Sequence, residues 1–156
     1  MTTVPLSELP EFVRNVRSVL KLLPQQNRAA VVWLRGDLGA GKTTFVQCLA
    51  RDYGIEEDVT SPTYVLMRSY DIPGARLPSG TLRRYKRLVH IDAYRLEDPK
   101  EFLTLRPEQF LEDKDAVVLI EWPEKLGHYA PKPDVCVDFK MDGGESERTI
   151  NMSKEN

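Results

Sequence analysis

Hydrophobic positions near the start of the chain recur at helical spacing: Leu9, Phe12, Val13, Val16, Val19, Leu20 and Leu23. The pattern predicts an amphipathic helix from Ser7 to Leu23, capped by Ser7, and a turn from Pro24 to Arg28. The rhythm then changes. Ala30 to Arg35 is a compact apolar run that predicts a strand, and Thr43 to Tyr53 returns to helical spacing. Thr60 to Asp71 and Arg87 to Asp92 predict two further strands. Pro99 to Glu112 reads as helical, with Pro107 marking a break or a fresh start. Ala116 to Glu121 is unbroken apolar sequence ending in an acid, as expected of a strand buried on both faces. Val135 to Met141 and Glu147 to Met152, joined through Gly143-Gly144, predict a C-terminal hairpin, with Ser153 to Asn156 fraying behind it.

These elements predict one α/β domain over residues 1–156. With the glycine-rich run Gly36 to Thr44 between the first strand and the second helix, which fits the phosphate-loop pattern, the expected fold is a three-layer phosphate-loop NTPase-like domain, with a mixed sheet and an antiparallel C-terminal hairpin. Ile72 to Lys86 carries Pro73, Gly74, Pro78 and Gly80, so a helical crossover is not expected there. The strands on either side should therefore pair antiparallel, joined by a basic, mobile loop over residues 72–87. That loop holds Arg76, Arg83, Arg84, Lys86 and Arg87 and no acid. It is read either as a solvated loop or as a docking patch for an anionic partner, RNA included.

Composition narrows the class. The net charge of −2 gives no global case for non-specific nucleic-acid binding. No apolar stretch approaches a membrane span. Pro5, Glu8, Pro10 and Glu11 interrupt the start, so it does not read as a signal peptide, and a cytoplasmic location is expected. Cys48 and Cys136 are far apart without metal-like spacing and are expected to be reduced, and His90 and His128 form no metal cluster.

Between the first strand and the second helix lies Gly36-Asp37-Leu38-Gly39-Ala40-Gly41-Lys42-Thr43-Thr44, which meets every fixed position of the phosphate-loop pattern. The bare pattern arises by chance in about one chain in two hundred of this length, and the strand and helix around it lower that further. Backbone amides of such a loop cradle phosphate oxygens, and the helix start adds partial positive charge. Lys42 supplies a cation for the outer phosphates, and the Thr43 hydroxyl can hold Mg²⁺. Hydrolysis needs acids too. Glu121 ends the apolar strand in the position of a Walker-B-type acid, and Asp92 ends Leu88-Val89-His90-Ile91. Both should emerge at carboxyl strand ends, where ligands of α/β sheets bind. Ser61 and Thr63 flank Pro62 and are candidates for a switch-like contact with Mg²⁺ or the γ-phosphate. The plain alternatives are strand-end capping for the acids and turn chemistry for the hydroxyls.

Four motifs in order carry a family resemblance: the phosphate loop, Ser61-Pro62-Thr63-Tyr64, His90-Ile91-Asp92-Ala93-Tyr94-Arg95 and Ile120-Glu121-Trp122-Pro123. Together they resemble the TsaE family, also called YjeE, over most of the chain. The resemblance implies a small ATPase of bacterial tRNA modification that acts with TsaB and TsaD to make N6-threonylcarbamoyladenosine. It implies ATP and Mg²⁺ as ligands, and tRNA as an indirect partner or one reached through the basic loop. By match, Asp37, Leu38, Gly39, Ala40, Gly41, Lys42, Thr43 and Thr44 form the ATP site. Lys42, Asp92 and Glu121 are the expected catalytic residues, with Asp92 positioning or activating water and Thr43 and Glu121 serving Mg²⁺. Thr63 lies on the switch-like segment, and Trp122 sits beside nucleotide or partner. Arg148 lies near a hairpin residue that touches nucleotide in relatives. The chain departs from the pattern early in the first helix, where relatives carry a Thr and this sequence reads Leu9-Pro10-Glu11.

Three other classes compete, one of them a nucleotide-gated binding module with negligible catalysis, against which Asp92 and Glu121 argue. A small-molecule or nucleoside kinase would use a lid with catalytic arginines, a part that Arg83, Arg84 and Arg87 could imitate. A GTPase would need Asn-Lys-x-Asp, and the nearest string here is Pro131-Lys132-Pro133-Asp134.

Overall fold

The structure, a computed structural model, describes residues 2–3, 8–60, 65–74, 84–141 and 148–155. Its strands are β1 (Thr2–Thr3), β2 (Ala30–Gly36), β3 (Met67–Asp71), β4 (Arg87–Asp92), β5 (Ala116–Glu121), β6 (Val135–Met141) and β7 (Arg148–Lys154). They form one mixed sheet in the order β1-β7-β6-β2-β5-β4-β3. The helices are α1 (Leu9–Leu22), α2 (Lys42–Asp52) and α3 (Glu108–Leu111), with 3₁₀ helices at Pro99–Leu105 and Pro123–Tyr129.

β2, which leads into the phosphate loop, lies at the centre and runs parallel to β5 on one side and β6 on the other. β4 extends the parallel set beyond β5. β3 adds antiparallel to β4, as the glycines and prolines between them predict, and β6 and β7 form the C-terminal hairpin. β5 is buried along its whole length, which explains its unbroken apolar sequence.

Period-two alternation sorts side chains onto two cores. Leu34, Leu88, Val117, Leu119 and Val137 face α1 and α2. Val31, Val89, Ile91, Val118 and Ile120 face the 3₁₀ helices and α3. This is the three-layer arrangement. Phe45 anchors the first core, edge-on to Phe12 at 6.2 Å and to Phe139 at 5.8 Å between centroids. Fully burying a side chain of this kind contributes about 1.5–3 kcal/mol.

Several boundaries differ from expectation. The N-cap of α1 is Glu8, with no side-chain cap bond, and Ser7 lies outside the described residues. The second strand begins only at Met67. Residues 61–64, with Ser61 and Thr63, lie outside the described residues, as does the Gly143-Gly144 turn. Ser153 and Lys154, expected to fray, instead pair with Cys136 and Val135, because the β6 edge supplies their hydrogen bonds. The helical stretch after Pro99 does restart at Pro107, as a 3₁₀ helix followed by a single turn of α-helix.

The basic segment is only partly described, since Arg76 and Arg83 fall outside. Arg84 donates to the carbonyls of Lys21, Leu23 and Pro24, satisfying the orphan acceptors at the end of α1. Lys86 pairs with Asp115 at 2.6 Å and Arg87 with Asp113 at 3.4 Å. These three cations therefore serve the scaffold. Asp134, in the string nearest a guanine-reading motif, is likewise structural. Its carboxylate takes a bidentate bond from Arg28 at 2.7 and 2.9 Å and a third from the Val31 amide at 2.9 Å.

Candidate functional site

The site forms where β2, β4 and β5 end together. β2 stops at Gly36, whose φ of +141° suits glycine, and an added Cβ would meet the Phe139 carbonyl oxygen at 2.2 Å. The chain then turns through Asp37, Leu38 and Gly39, all exposed, and a buried Ala40. Gly39 has a φ of +77°, with nothing within 4 Å of an added Cβ. The first glycine is thus needed for close packing on β6, the second for a backbone conformation that opens outward. α2 starts at Lys42 behind Gly41, presenting the first-turn amides of an eleven-residue helix to the loop.

Lys42 is buried inside this turn, only 4% exposed. Its ammonium donates to the Gly36 carbonyl at 2.5 Å and to the Asp37 carbonyl at 2.8 Å, and it sits 3.9 Å from the centre of the Trp122 ring. Burial pushes the Lys42 ammonium below the usual lysine range, while the charges of Glu121, Glu124, Asp92 and Asp37 oppose that shift. A cation held in low dielectric by neutral carbonyls and an indole is suited to an anionic ligand.

Thr43 faces the end of β5. Its hydroxyl lies 3.0 and 3.2 Å from the two carboxylate oxygens of Glu121. Glu121 is 2% exposed, and Oε1 also lies 2.8 Å from Nε2 of the fully buried His90. Asp92 sits directly across from Glu121 in the parallel register of β4 and β5. It is half-buried, and its Oδ1 accepts from the Tyr94 amide at 3.0 Å. Trp122 follows Glu121 with a φ of +57°, rare for a bulky side chain. Its amide is tied to the Leu34 carbonyl at 3.3 Å, and its ring packs on Tyr94 at 5.0 Å. The left-handed turn swings the indole over Lys42 as soon as the strand ends.

The structure therefore brings together Lys42, Thr43, Glu121, Asp92 and Trp122. Thr44 is exposed on the first turn of α2. Thr63 lies outside the described residues, and Arg148 opens β7 with its side chain likewise outside them. Sequence reasoning assigned no role to His90. The available signal was its place on the face shared by Leu88 and Asp92, as a polar residue in a strand that otherwise points apolar side chains inward.

A cleft of about 410 Å³ opens on the other side of the loop start. It is lined by Gly36, Asp37, the Arg35–Asp138 ion pair at 2.7 Å, Lys140 and Asn151. Among the described residues no group of three His, Cys, Asp or Glu side chains forms a metal cage. A hydroxyl and a carboxylate at a helix start still suit a hard cation such as Mg²⁺, which takes one or two protein oxygens and completes its shell from phosphates and water.

A mixed sheet whose central strand has parallel neighbours and runs through a glycine-rich turn into a helix, with acids at the ends of β5 and β4 beside it, defines the phosphate-loop class of α/β domains. The family described as "Threonylcarbamoyl adenosine biosynthesis protein TsaE" matches residues 9–150, and the chain belongs to that family. Relatives include the tRNA threonylcarbamoyladenosine biosynthesis protein TsaE of Haemophilus influenzae, 37% identical over 80% of this chain and 70% of its own length. The same-named protein of Nostoc is 37% identical over 74% of this chain, which spans 64% of that relative. That of Bacillus subtilis is 34% identical over 79% of this chain and 68% of its own. The fold is also that of the crystal structure of YdiB from Bacillus subtilis, with a TM-score of 0.55 at 22% identity, covering 99% of this chain and 89% of that one.

Proposed function

We propose that this protein binds ATP with Mg²⁺ and hydrolyses it, slowly alone and faster with TsaB- and TsaD-type partners, in support of threonylcarbamoyladenosine formation on tRNA in the cytoplasm. The observation that carries the reading is the contact of the Thr43 hydroxyl with the buried Glu121 carboxylate, one residue from Lys42 at the start of α2. That juxtaposition serves a metal-bound phosphate chain and has no evident use in a purely structural turn.

When bound, Mg²⁺ would neutralise charge on the outer phosphates and draw them into line. The loop amides and the α2 N-terminus would hold the phosphate chain, with Lys42 exchanging its carbonyl partners for phosphate oxygens. Thr43 and Glu121 would hold the cation, the first by its hydroxyl and the second directly or through water. Asp92, oriented by the Tyr94 amide and partly open to solvent, would orient the attacking water. The cleft beside Gly36 and Asp37 lies on the side away from these acids, so it suits the nucleoside end, and the β7 position of Arg148 borders that side. Family membership supports the tRNA pathway. Arg84 and Arg87 bond to the scaffold, so neither is free to act as a finger on the phosphates. This supports partner activation, because such a group raises rates by about 10³–10⁵ in related NTPases. It also weakens the kinase reading, whose lid would have used those arginines.

The test is steady-state phosphate release by the purified protein with ATP and Mg²⁺, then with TsaB, TsaD and tRNA. Slow release that the partners accelerate is expected. Lys42→Ala should lower nucleotide affinity and turnover by about 10- to 100-fold, the worth of a charged hydrogen bond to phosphate. Fast release unaffected by partners, or appearance of a phosphorylated small molecule, would overturn the reading.

A further inference from the structure

We infer that His90 is a positioning residue that holds the Glu121 carboxylate against Thr43, and so sets how tightly a divalent cation is bound with the nucleotide. The inference rests on the metal role proposed above for Glu121.

Glu121 Oε1 accepts from two sides, the Thr43 hydroxyl at 3.0 Å and His90 Nε2 at 2.8 Å. Both side chains of the His–Glu pair are buried, at 0% and 3% exposure. A carboxylate at the end of a flexible glutamate side chain has three torsions to fix, and burial alone does not choose among them. Two donors converging on one oxygen do. His90 approaches from β4, a rigid element in parallel register with β5, while Thr43 approaches from the start of α2. The carboxylate is therefore clamped between two secondary-structure elements, as second-layer partners commonly clamp metal-binding groups. The Thr43 contact does not compete with metal binding, since a hydroxyl donates through its hydrogen and keeps a lone pair for a cation.

The ring's other nitrogen identifies its form. Nδ1 is buried and has no hydrogen-bond partner among the described residues. With the hydrogen on Nε2, the ring donates to Glu121 and leaves only a bare lone pair at Nδ1. The opposite tautomer would set a lone pair against the carboxylate and strand a buried N–H as well. Between the two tautomers, the geometry thus selects the one with its hydrogen on Nε2. This explains the residue type. A lysine or arginine here would form a permanent ion pair with Glu121 and cancel the charge that draws the cation. A leucine would fill the space and leave Glu121 with a single donor. Histidine supplies one directed hydrogen bond and no fixed charge.

The probes are ADP and Mn²⁺, read by titration calorimetry for ADP with and without metal, and by Mn²⁺ electron paramagnetic resonance. In the wild-type protein Mn²⁺ should tighten ADP binding. In His90→Leu that metal-dependent gain should fall about tenfold, the usual lower bound for losing such a second-layer partner. ADP affinity in chelator should stay within about twofold, because the loop and Lys42 are untouched. His90→Gln, which can place an amide donor near the Nε2 position, should recover most of the gain. His90→Asn, one bond shorter, should not, and the Gln and Asn pair carries the test if His90→Leu fails to fold. In a Glu121→Gln background His90→Leu should have no further effect on metal dependence. A metal-dependent gain that survives His90→Leu, or additive losses in the double variant, would overturn the role of His90 alone. Absence of any metal-dependent gain in the wild-type protein would overturn the metal reading of Glu121, and the inference with it.

Discussion

The ends of β5 and β4 lie side by side, and each carries an acid at the same level of the sheet. Glu121 and Asp92 are register partners, yet their surroundings differ. Glu121 is enclosed, with donors from α2 and β4 on its carboxylate. Asp92 is half-buried, and its bonded oxygen is held by a local turn to Tyr94. The difference follows from position in the sheet. β5 lies between β2 and β4, and α2 starts over its end, so its last side chain meets protein on every side. β4 is flanked outside by the short strand β3, so its end stays open. An enclosed carboxylate with fixed neighbours can hold a cation, whereas an open one, pre-oriented by a turn, can reach a water molecule. Equivalent positions in one register thus acquire two different environments.

The comparison can be broken at the enclosed acid first, where the largest effect is expected. Glu121→Ala should lower Mg²⁺-dependent turnover by about 10³-fold and abolish the Mg²⁺ dependence of nucleotide affinity, because the uncharged Thr43 hydroxyl that remains cannot by itself recruit the cation. Calorimetry with and without Mg²⁺ alongside phosphate-release assays checks this. Retained metal dependence would assign the cation to another group.

Asp92→Asn should lower kcat by about 10²-fold and leave nucleotide affinity within about threefold. Asparagine keeps the oxygen that accepts from the Tyr94 amide, so the turn survives and only the negative charge is lost. Equal losses in binding and turnover, with the fold intact, would erase the distinction between the two strand ends.

The smallest effect is expected at the opposite end of β4, where Tyr85 is buried and donates to the Leu20 carbonyl at 2.9 Å. Burial pushes the Tyr85 phenol up to about 12 from an ordinary value of 10.0. The unfolded chain releases this proton first, so the stabilisation is complete below about pH 10 and is lost as pH rises towards about 12. The loss amounts to at most about 2–3 kcal/mol. Urea unfolding at pH 8 and pH 11 should show that Tyr85→Phe is less sensitive to alkali than the wild-type protein, with ATP turnover at neutral pH unaltered. Equal sensitivity would mean that Tyr85 is not the group responsible.

Much of this molecule could be read from residue order alone. The phosphate loop announced itself because its chemistry is local. Glycines, lysine and threonine act through backbone and side chains only a few positions apart, so their spacing is their geometry. The strands were equally readable where burial on both faces leaves no polar position, as in Ala116 to Ile120. The antiparallel β3–β4 pairing followed from glycines and prolines that forbid a crossover helix. What residue order left open depends on contacts between distant segments. That Glu121 meets Thr43, 78 positions earlier, is decided by the β2–β5 register and the landing of α2. That His90 is a partner of Glu121 rather than a buried filler is decided by the neighbouring strand, since a lone histidine has no spacing to betray it. The fate of the basic residues was also tertiary, because Arg84 reads as a free charge until the end of α1 is brought beneath it. Sequence determines what depends on the chain's own periodicity, and the folded sheet decides which side chains from different strands share one atom.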